Sequence, residues 1–425
     1  MDFILVLCLM EMNGIGFSPL QLLDQKRKME RKLIELEEEA TKLVGHPVLL
    51  SSPQQLCSVL FEELKLPPPN LNNNSTMKFK GANQQYSTNE ETLQSLINLH
   101  PLPAIILEHR HICKMLQGFV VPLCDRAVKC PQGNTVSSIF SSWSQISTCT
   151  GRLSSSDPNL QNVPKADSIR FGNRQDMTKE LNIRNAFVAR NENVLLAADY
   201  VQCELRIMAH FCNDPSLIKL LSENNCPYTG IASHVLKKPF DSITTQERST
   251  FKTVVLGLLY GLGCKSLAAR LGLSEQEASR HISTFYSAFP KVKEFQSSCR
   301  NIVKSRGYAV TLSGRQRPLA DISLNGPENS AKRAYAERQA VNTVIQGTAA
   351  DIIKRAMKFI LLDLKKQGLA ETCRLCLQIH DELVFELPKD QLPKFTKIIN
   401  RGMTESTTLH VPMRIKFSVG STWGE

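Results

Sequence analysis

Two short apolar segments carry carboxylates where a buried strand would ordinarily carry none. The segments Leu195–Asp199 and Leu377–Phe385 have the apolar composition of β-strands that enter a core. Asp199 ends the first segment, and Asp381 and Glu382 lie side by side in the second. A carboxylate in a core is costly to desolvate unless a positive charge pairs with it. A divalent metal ion resolves that conflict most simply, so the sequence predicts a metal site assembled from residues far apart in the chain.

Net charge narrows the class of partner. Lysine and arginine total 51 against 40 aspartates and glutamates, which gives a formal charge of +11. This excess favours a polyanion such as nucleic acid, although an anionic membrane surface fits it as well. No stretch is long enough and free enough of charge to span a bilayer, so no membrane-embedded segment is expected. The 425 residues predict two to four structural units, and 13 scattered cysteines without a secretory leader predict a reducing compartment.

A helix is predicted from residue 245 to residue 260. Thr244 and Glu247 have the spacing of a capping box at its start, and Gly261 would end it. Four of its side chains recur at every fourth residue and follow one stripe of the helix surface: Arg248, Lys252, Leu256 and Tyr260. Two cations and one aromatic ring on an otherwise apolar helix suit a bound polyphosphate with a ring near its end. The alternative, in which the basic side chains only meet solvent, is equally compatible with this pattern alone.

Three other patterns are less informative. Residues 261–266 resemble part of a P-loop, but Cys264 stands where that motif requires glycine, so a P-loop is excluded. The single CxxC at Cys373–Cys376 has no second ligand pair nearby, and buried thiols are the favoured interpretation. On a continuous strand His380 would point to the opposite face from Asp381, so we assign it a supporting role or a contact with a nucleic-acid backbone.

Hydrophobic periodicity places these motifs on a mostly helical framework. Four segments fit regular patterns: helices at 20–45, 203–305 and 328–368, and a hairpin at 306–320. Charged residues crowd the first of these helices. Ion pairs between residues four apart, such as Arg31 with Glu35, favour a solvated face there over a surface aimed at phosphates.

Three of these motifs, in this order and at wide spacing, resemble the family A DNA polymerases. Asp199–Arg206 is similar to the first palm motif of that family, Arg248–Gly261 to its fingers helix, and Gln378–Glu382 to its last palm motif. Residues 150–164 resemble the family's primer-side segment, and 337–351 resemble its template-side helix. Parts of its thumb are similar to 10–15, 64–68 and 100–103, and its closing residues to 420–425. The likeness covers essentially the whole chain and is nearest to the eukaryotic theta and nu polymerases.

The resemblance implies an α+β fold, the right-hand polymerase, with a mostly antiparallel palm sheet, helical fingers and a helical thumb. It divides the chain into four parts: thumb 1–140 (expected to be truncated at its N-terminus), first part of the palm 141–210, fingers 211–330, and second part of the palm 331–425. The implied function is template-directed addition of deoxynucleotides to a primer 3′ end, in DNA repair. The implied partners are primer-template DNA and deoxynucleoside triphosphates, bound by a monomer located in the nucleus, with the mitochondrion as the alternative.

The resemblance also assigns roles to individual residues. Two Mg²⁺ ions, for which Mn²⁺ substitutes, would be held by Asp199, Asp381 and the main-chain carbonyl of Tyr200. The catalytic group consists of Asp199, Asp381, Glu382 and Lys252. The nucleotide-binding group, in which Glu204 would crowd the ribose 2′ position, consists of Arg248, Lys252, Leu256, Tyr260, Glu204 and Gln202. The DNA-binding group consists of Arg152, Arg338, Asn342, Gln346 and His380.

The sequence departs from the family pattern in several respects, of which three bear on function. Leu256 stands where an aromatic ring is usual, so weaker nucleotide binding and altered sugar discrimination are expected. The segment 165–182 is short where the theta polymerases carry a long insertion, which puts theta-specific behaviour in question. Nothing that resembles the family's exonuclease-like domain precedes the thumb, so proofreading is not expected.

Two other functions compete with template-directed DNA synthesis. The first is a polymerase-derived protein that binds DNA but has lost catalysis, which Leu256 suggests and the retained Asp199 and Asp381 argue against. The second is a single-subunit RNA polymerase, which shares the two acids and the fingers lysine. Glu204 and the primer-side segment at 150–164 argue against that function.

Overall fold

The computed structural model describes residues 3–68, 86–129, 136–164, 182–223 and 226–425. By its internal contacts the chain forms two units, the larger consisting of 1–13, 141–157 and 196–419 and the smaller of 14–140, 158–195 and 420–425. Every residue given a catalytic, nucleotide-binding or DNA-binding role above lies in the larger unit. The division into thumb, palm and fingers stays a prediction, and the excursion predicted at 165–182 lies outside the described residues except for Asn182.

Helices dominate the chain. In chain order they are α1 (Phe3–Asn13), α2 (Pro19–Val44), α3 (Pro53–Cys57), α4 (Glu90–Leu96), α5 (Leu102–Met115), α6 (Val121–Asp125), α7 (Cys203–Cys212), α8 (Pro215–Ser222), α9 (Pro227–Leu236), α10 (Thr245–Leu259), α11 (Cys264–Leu271), α12 (Glu275–Ala288), α13 (Pro290–Arg306), α14 (Ser330–Lys366) and α15 (Leu392–Glu405). In the described ranges, no helix is both long enough and apolar enough to cross a lipid bilayer.

The strands form small antiparallel ladders and one larger sheet. They are β1 (Ile15–Phe17), β2 (Ser137–Ile139), β3 (Ser142–Ser144), β4 (Ser154–Ser156), β5 (Asn193–Tyr200), β6 (Tyr308–Val310), β7 (Gln316–Pro318), β8 (Arg374–Ile379), β9 (Glu382–Pro388) and β10 (Ile415–Gly420). The pairs β1–β2, β3–β4, β6–β7 and β8–β9 are antiparallel. The larger sheet has the strand order β10–β5–β9–β8. Helices combined with antiparallel ladders give the α+β class that the sequence predicted.

The prediction of one continuous strand over Leu377–Phe385 is wrong. The segment is a hairpin in which Ile379 pairs with Glu382 and a two-residue turn holds His380 and Asp381. Both strands are buried almost throughout, so they lack the apolar–polar alternation that would have revealed the reversal. The turn also lacks the usual Asn-Gly or Asp-Gly signal. His380 adopts the left-handed conformation, at φ +55°, that Asn, Asp or Gly usually supplies in such turns. His380 and Asp381 therefore lie together at the hairpin tip, not on opposite faces of a strand.

Local signals predicted the helices well. α2, α10 and α14 and the β6–β7 hairpin lie where periodicity placed them. The capping box that begins α10 is complete, since Thr244 Oγ1 accepts from the Glu247 N–H at 3.1 Å and Glu247 Oε2 accepts from the Thr244 N–H at 2.9 Å. On α2, Lys26 pairs with Glu30 at 3.9 Å and Lys28 with Asp24 at 3.2 Å, as expected for an ion-paired face. The named pair was wrong, because among the described residues Glu35 pairs with Lys32 at 3.6 Å and not with Arg31.

Each unit has its own apolar core. In the larger unit, α14 packs against α1, α7, α13 and α15. α14 and α15 approach so closely that a Cβ added at Gly402 would lie 2.2 Å from Ile360 Cγ1. In the smaller unit, the Phe187 ring packs edge-on against the rings of Phe17 and Trp423, with centroids 5.3 and 5.4 Å away.

Candidate active site

Sheet pairing brings the two predicted metal ligands together. β5 lies beside β9 in the sheet, and Asp199 is the residue before the last of β5. The N–H of Tyr200 donates to the carbonyl oxygen of Asp381 at 3.2 Å. The end of β5 is thereby tied to the tip of the β8–β9 hairpin. This contact joins segments that are far apart in the sequence, as the buried-acid argument predicted.

The electrostatics of this tip favour a bound cation. Burial raises the pKa of Asp381 to about 6, the negative charges of Glu204 and Asp199 add to the rise, and the positive charge of Arg152 opposes it. Several carboxylates thus lie near the half-buried Asp381, and the Arg152 guanidinium compensates only part of their negative charge. The hard oxygen donors of Asp199, Asp381 and the Tyr200 carbonyl fit Mg²⁺ or Mn²⁺.

The acidic set is small. Among the described residues, no group of three or more His, Cys, Asp or Glu side chains is arranged to hold a metal ion. Two carboxylates and one carbonyl therefore have to be completed by water or by oxygens of a substrate, as is usual for Mg²⁺ at phosphoryl-transfer sites. Glu382, the predicted auxiliary acid, is 9% exposed and begins β9.

Glu204 joins three segments of the larger unit. It lies in the first turn of α7 and is 8% exposed. Its Oε2 accepts from Tyr260 Oη at 2.5 Å, and its Oε1 accepts from Arg152 Nη2. We call Glu204, Arg152 and Tyr260 the Glu204 junction. Burial, followed by the charge of Glu204, raises the pKa of Tyr260 above its ordinary value, so the phenol stays neutral and donates.

The sequence assigned each member of the Glu204 junction a role but did not predict that they touch. The contacts connect the predicted primer-side segment, the first acidic motif and the end of α10. A buried carboxylate with both oxygens engaged is held in one orientation. The Glu204 junction therefore holds the Glu204 carboxylate in a fixed orientation near Asp381.

Arg315 supports the segment that carries Arg152, and sequence analysis missed it. Its Nη2 donates to the Thr150 carbonyl oxygen at 2.6 Å, and its Nε donates to Asp351 Oδ1 at 3.1 Å. Gly151 has φ +79°, and a Cβ added there would lie 2.6 Å from Arg315 Cζ. Only glycine permits this close approach in that conformation. No sequence signal singled out Arg315, because its partners come from two distant segments.

The stripe predicted on α10 is present. Its opposite faces are buried at Phe251, Val254, Val255, Leu258 and Leu259. Lys252 is exposed, and Arg248, Leu256 and Tyr260 are half-buried. Since Tyr260 contacts Glu204, the stripe ends at the Glu204 junction. The apolar faces fix the helix, and the basic stripe is left open to a ligand.

A second predicted surface lies on α14. Arg338, Asn342 and Gln346 are four residues apart and share one face of that helix. A Cβ added at Gly261 would lie 3.1 Å from Arg338 Cγ, so the end of α10 approaches this face closely. Asn342 Oδ1 is buried with no hydrogen-bond partner among the described residues. A ligand that donates a hydrogen bond would satisfy it.

Gln202 is the second predicted site residue with an unsatisfied polar atom. It precedes α7 in the left-handed conformation, at φ +54°. Its Oε1 is buried and, within the described ranges, has no hydrogen-bond partner. Backbone strain and a buried acceptor without a partner are both features of sites completed by a ligand.

Comparison with known proteins identifies similar chains. The model for the family described as DNA polymerase family A matches residues 20–425. DNA polymerase I of Bacillus caldotenax is 34% identical over 419 residues, which cover 98% of this chain and 44% of that protein. DNA polymerase I of Bacillus subtilis (strain 168) is 34% identical over 424 residues, which cover 100% of this chain and 45% of that protein. The chain spans less than half the length of these bacterial relatives.

A solved structure agrees in fold as well. The POL domain of Pol1 from M. smegmatis, in complex with DNA primer-template and dNTP, matches with a TM-score of 0.84 and 31% sequence identity. The match covers 98% of this chain and 68% of that chain.

Proposed function

This chain belongs to DNA polymerase family A and has the α+β fold of a polymerase I polymerase domain, and on that premise we propose that its 425 residues catalyse template-directed addition of deoxynucleotides to a primer 3′ end. One observation carries the proposal. β-sheet pairing brings Asp199 and Asp381 together beside the Glu204 junction, where the α10 stripe ends. Nucleotidyl transfer needs a metal site next to a basic surface that can bind the triphosphate, and this arrangement offers both.

Asp199, Asp381 and the Tyr200 carbonyl would hold two divalent ions. Such ions, when bound, lower the pKa of an attacking hydroxyl and neutralise charge on a leaving pyrophosphate. The protein's own part is to place these oxygens on strand ends that the sheet holds rigid. Glu382, the first residue of β9, would act as an auxiliary acid beside the tip.

The basic members of the α10 stripe would bind the triphosphate. Arg248 and Lys252 lie one helical turn apart, which suits contacts with successive phosphates. Lys252 is exposed and forms no ion pair with the described residues, so none of these has to be displaced when it meets the nucleotide. As an ammonium it also has a proton to give to the leaving pyrophosphate.

The DNA would lie along the α14 face and the primer-side segment. Arg338, Asn342, Gln346 and His380 supply donors and acceptors there, and Arg152 stands where the primer end would meet the new base pair. We expect affinity to fall with salt because cations on the protein replace counterions of the DNA. Base pairing, not side-chain contact, would choose the incoming nucleotide.

Primer extension with Mg²⁺ tests the proposal directly. Deoxy- and ribonucleotides are compared on the same primer-template, beside an Asp381→Ala variant. Extension with deoxynucleotides that this variant lacks supports the proposal. DNA binding without extension would establish instead a polymerase-derived binding protein, which Leu256 favours. Preference for ribonucleotides would establish an RNA polymerase.

Removal of the Glu204 side chain is expected to admit ribonucleotides. Glu204→Ala should raise ribonucleotide incorporation relative to deoxynucleotides by roughly two orders of magnitude, because a wall at the 2′ position is lost. Tyr260→Phe should have a smaller effect of about tenfold, since it removes one hydrogen bond that orients the carboxylate. Ratios of kcat/KM for the two nucleotide classes measure both effects.

The control for this prediction is Tyr286→Phe, which removes a tyrosine hydroxyl that instead donates to Gln296 at 2.8 Å. It should leave sugar discrimination unchanged. A Glu204→Ala enzyme that still rejects ribonucleotides would show that Glu204 does not face the sugar.

An aromatic ring at position 256 is expected to tighten nucleotide binding. Leu256 is half-buried on the α10 stripe and offers apolar contact without a stacking face. Leu256→Tyr should lower the KM for deoxynucleotides about two- to tenfold, because a stacked ring adds about 0.5–1.5 kcal/mol. Leu256→Met, which changes shape without adding a ring, should leave KM nearly unchanged. Equal KM values for the wild type and both variants would contradict the prediction that a ring at position 256 stacks on the nucleotide.

Finer parts of the proposal rest on the sequence resemblance alone. They are the likeness to the theta and nu polymerases, a role in DNA repair, a monomeric state, Mn²⁺ as a substitute ion, and a nuclear location with the mitochondrion as the alternative. We also propose that these 425 residues do not proofread. Removal of a mismatched primer 3′ nucleotide by the purified chain would contradict that last statement.

A further inference from the structure

A cysteine contacts one of the two cations of the α10 stripe. Arg248 Nε lies 3.3 Å from Cys226 Sγ, within hydrogen-bond distance for sulfur. Cys226 precedes α9, which packs against α10, and it is partly buried. Within the described part of the chain, the contact with Cys226 is the hydrogen bond that the structure gives to the Arg248 guanidinium. The two terminal nitrogens of Arg248 thus remain for another anion.

The surroundings of Cys226 favour its thiolate. Burial alone would raise the pKa of the thiol, but hydrogen bonds from the Thr229 side chain and from Arg248, with the Thr229 N–H, outweigh burial and lower it to about 7. The same contact raises the pKa of Arg248. A thiolate–guanidinium pair forms a charge-assisted hydrogen bond, which is stronger than a hydrogen bond between neutral groups.

Among the described residues, few other groups act electrostatically on the pair formed by Cys226 and Arg248. From α9 itself, the Tyr228 phenol has its pKa raised to about 12, first by burial and then by the charge on Cys226. From α7, Glu204 acts on Tyr228, and from α10, Arg248 acts on both residues. α8, α12 and the short 3₁₀ helix Phe240–Ser242, which carries Asp241, also pack against α9, but among the described residues none of them supplies a charge that shifts the pKa of Cys226.

We propose that Cys226 is a positioning residue for nucleotide binding: its sulfur fixes Nε of Arg248 so that the two terminal guanidinium nitrogens are presented to the triphosphate. This inference rests on the proposed function, because it takes the α10 stripe as the triphosphate site. A flexible arginine loses several rotatable bonds when it binds a phosphate, and a partner that holds it beforehand lowers that cost. The sulfur strengthens its hold as it ionises, so the positioning depends on pH.

Steady-state kinetics on a primer-template measure the effect. Cys226→Ala should raise the KM for the nucleotide about five- to tenfold while kcat stays within about twofold, because the lost interaction acts on binding. Cys226→Ala combined with Arg248→Ala should be no worse than Arg248→Ala alone, since the sulfur acts through that arginine. Cys8→Ala, at an exposed thiol on α1, is the control and should match the wild type.

The pH profile separates positioning from a merely structural role. The ratio of the KM of Cys226→Ala to that of the wild type should grow as pH rises from about 6 to about 8, because the thiolate forms over that range. Ratios cancel the ionisation of the triphosphate itself. Cys226→Asp, a permanent anion, should bring KM close to the wild-type value and remove the pH dependence of its ratio to Cys226→Ala.

Any of three kinetic outcomes would overturn the inference: an unchanged or lower KM in Cys226→Ala, an equal loss when Arg248 is already alanine, or a ratio that does not vary with pH. Thermal unfolding of each variant identifies the case in which Cys226→Ala acts only by loosening the start of α9, and that case also overturns it. A wild-type chain that fails to extend primers would refute the proposed function, whereas an active wild type with these null ratios refutes the role of Cys226 alone.

Discussion

Asp381→Asn is expected to abolish primer extension and, at the same time, to make the metal-free protein more stable. Extension should fall at least about a thousandfold, because a neutral amide no longer anchors a divalent ion at the point where charge develops. Stability should rise because the carboxylate is unfavourable where it stands. Burial, with the charges of Glu204 and Asp199, raises its pKa from 3.8 to about 6.

The sign of the stability effect follows from proton linkage. Between pH 3.8 and about 6, the folded protein holds a proton on Asp381 more often than the unfolded chain does. Stability therefore falls as pH rises through that window, and the full penalty is present at neutral pH. A two-unit shift corresponds to about 3 kcal/mol at most, and partial exposure of Asp381 reduces it to about 1–2 kcal/mol. Asparagine removes the charge and with it the penalty.

Urea denaturation of the metal-free proteins measures this effect, and primer extension measures the loss of activity. The gain in stability of Asp381→Asn over the wild type should be present at neutral pH and absent near pH 4, since both carry a neutral group at low pH. Mg²⁺ should stabilise the wild type more than the variant, because only the wild type has the complete site. Asp390→Asn, at an exposed acid after β9, is the control and should change neither property. An Asp381→Asn protein less stable than the wild type would mean that the folded protein stabilises the Asp381 carboxylate, for example by pairing it with a cation.

Lys252→Ala is expected to have the second largest effect. Loss of this ammonium should slow nucleotide incorporation about 100- to 1000-fold, because it removes a charge aimed at the phosphates and a proton donor for the leaving group. Single-turnover incorporation at saturating nucleotide isolates the catalytic step. Binding of primer-template should be nearly unchanged, since the role proposed for Lys252 is to bind the nucleotide and not the DNA.

The neighbouring helix supplies the matched control. Lys265 is exposed at the start of α11, in the segment that resembles a P-loop. Lys265→Ala should keep wild-type rates, because Cys264 stands where a P-loop requires glycine. A large loss in Lys265→Ala with little loss in Lys252→Ala would reverse the assignment of the triphosphate site from α10 to α11.

Sequence patterns predicted those features that depend on residues close together in the chain. The capping box of Thr244 and Glu247 fixes where α10 begins, and the four-residue spacing from Arg248 to Tyr260 fixes which side chains share a face. Helix geometry alone enforces both. The acids in two apolar segments also predicted that Asp199 and Asp381 lie near each other, because the desolvation cost of a carboxylate does not depend on the path of the chain. The structure leaves both side chains half-buried.

Tertiary structure decided everything that depends on partners far apart in sequence. The turn at His380 and Asp381 was hidden because two buried strands in succession have the same apolar pattern as one. Whether Glu204 is held by Arg152 and Tyr260, whether Arg315 reaches Thr150, and whether Cys226 reaches Arg248 are settled by distances between separate elements. Hydrogen bonds act over about 3 Å and depend on angle, so residue types at given positions leave such contacts open until the fold fixes them.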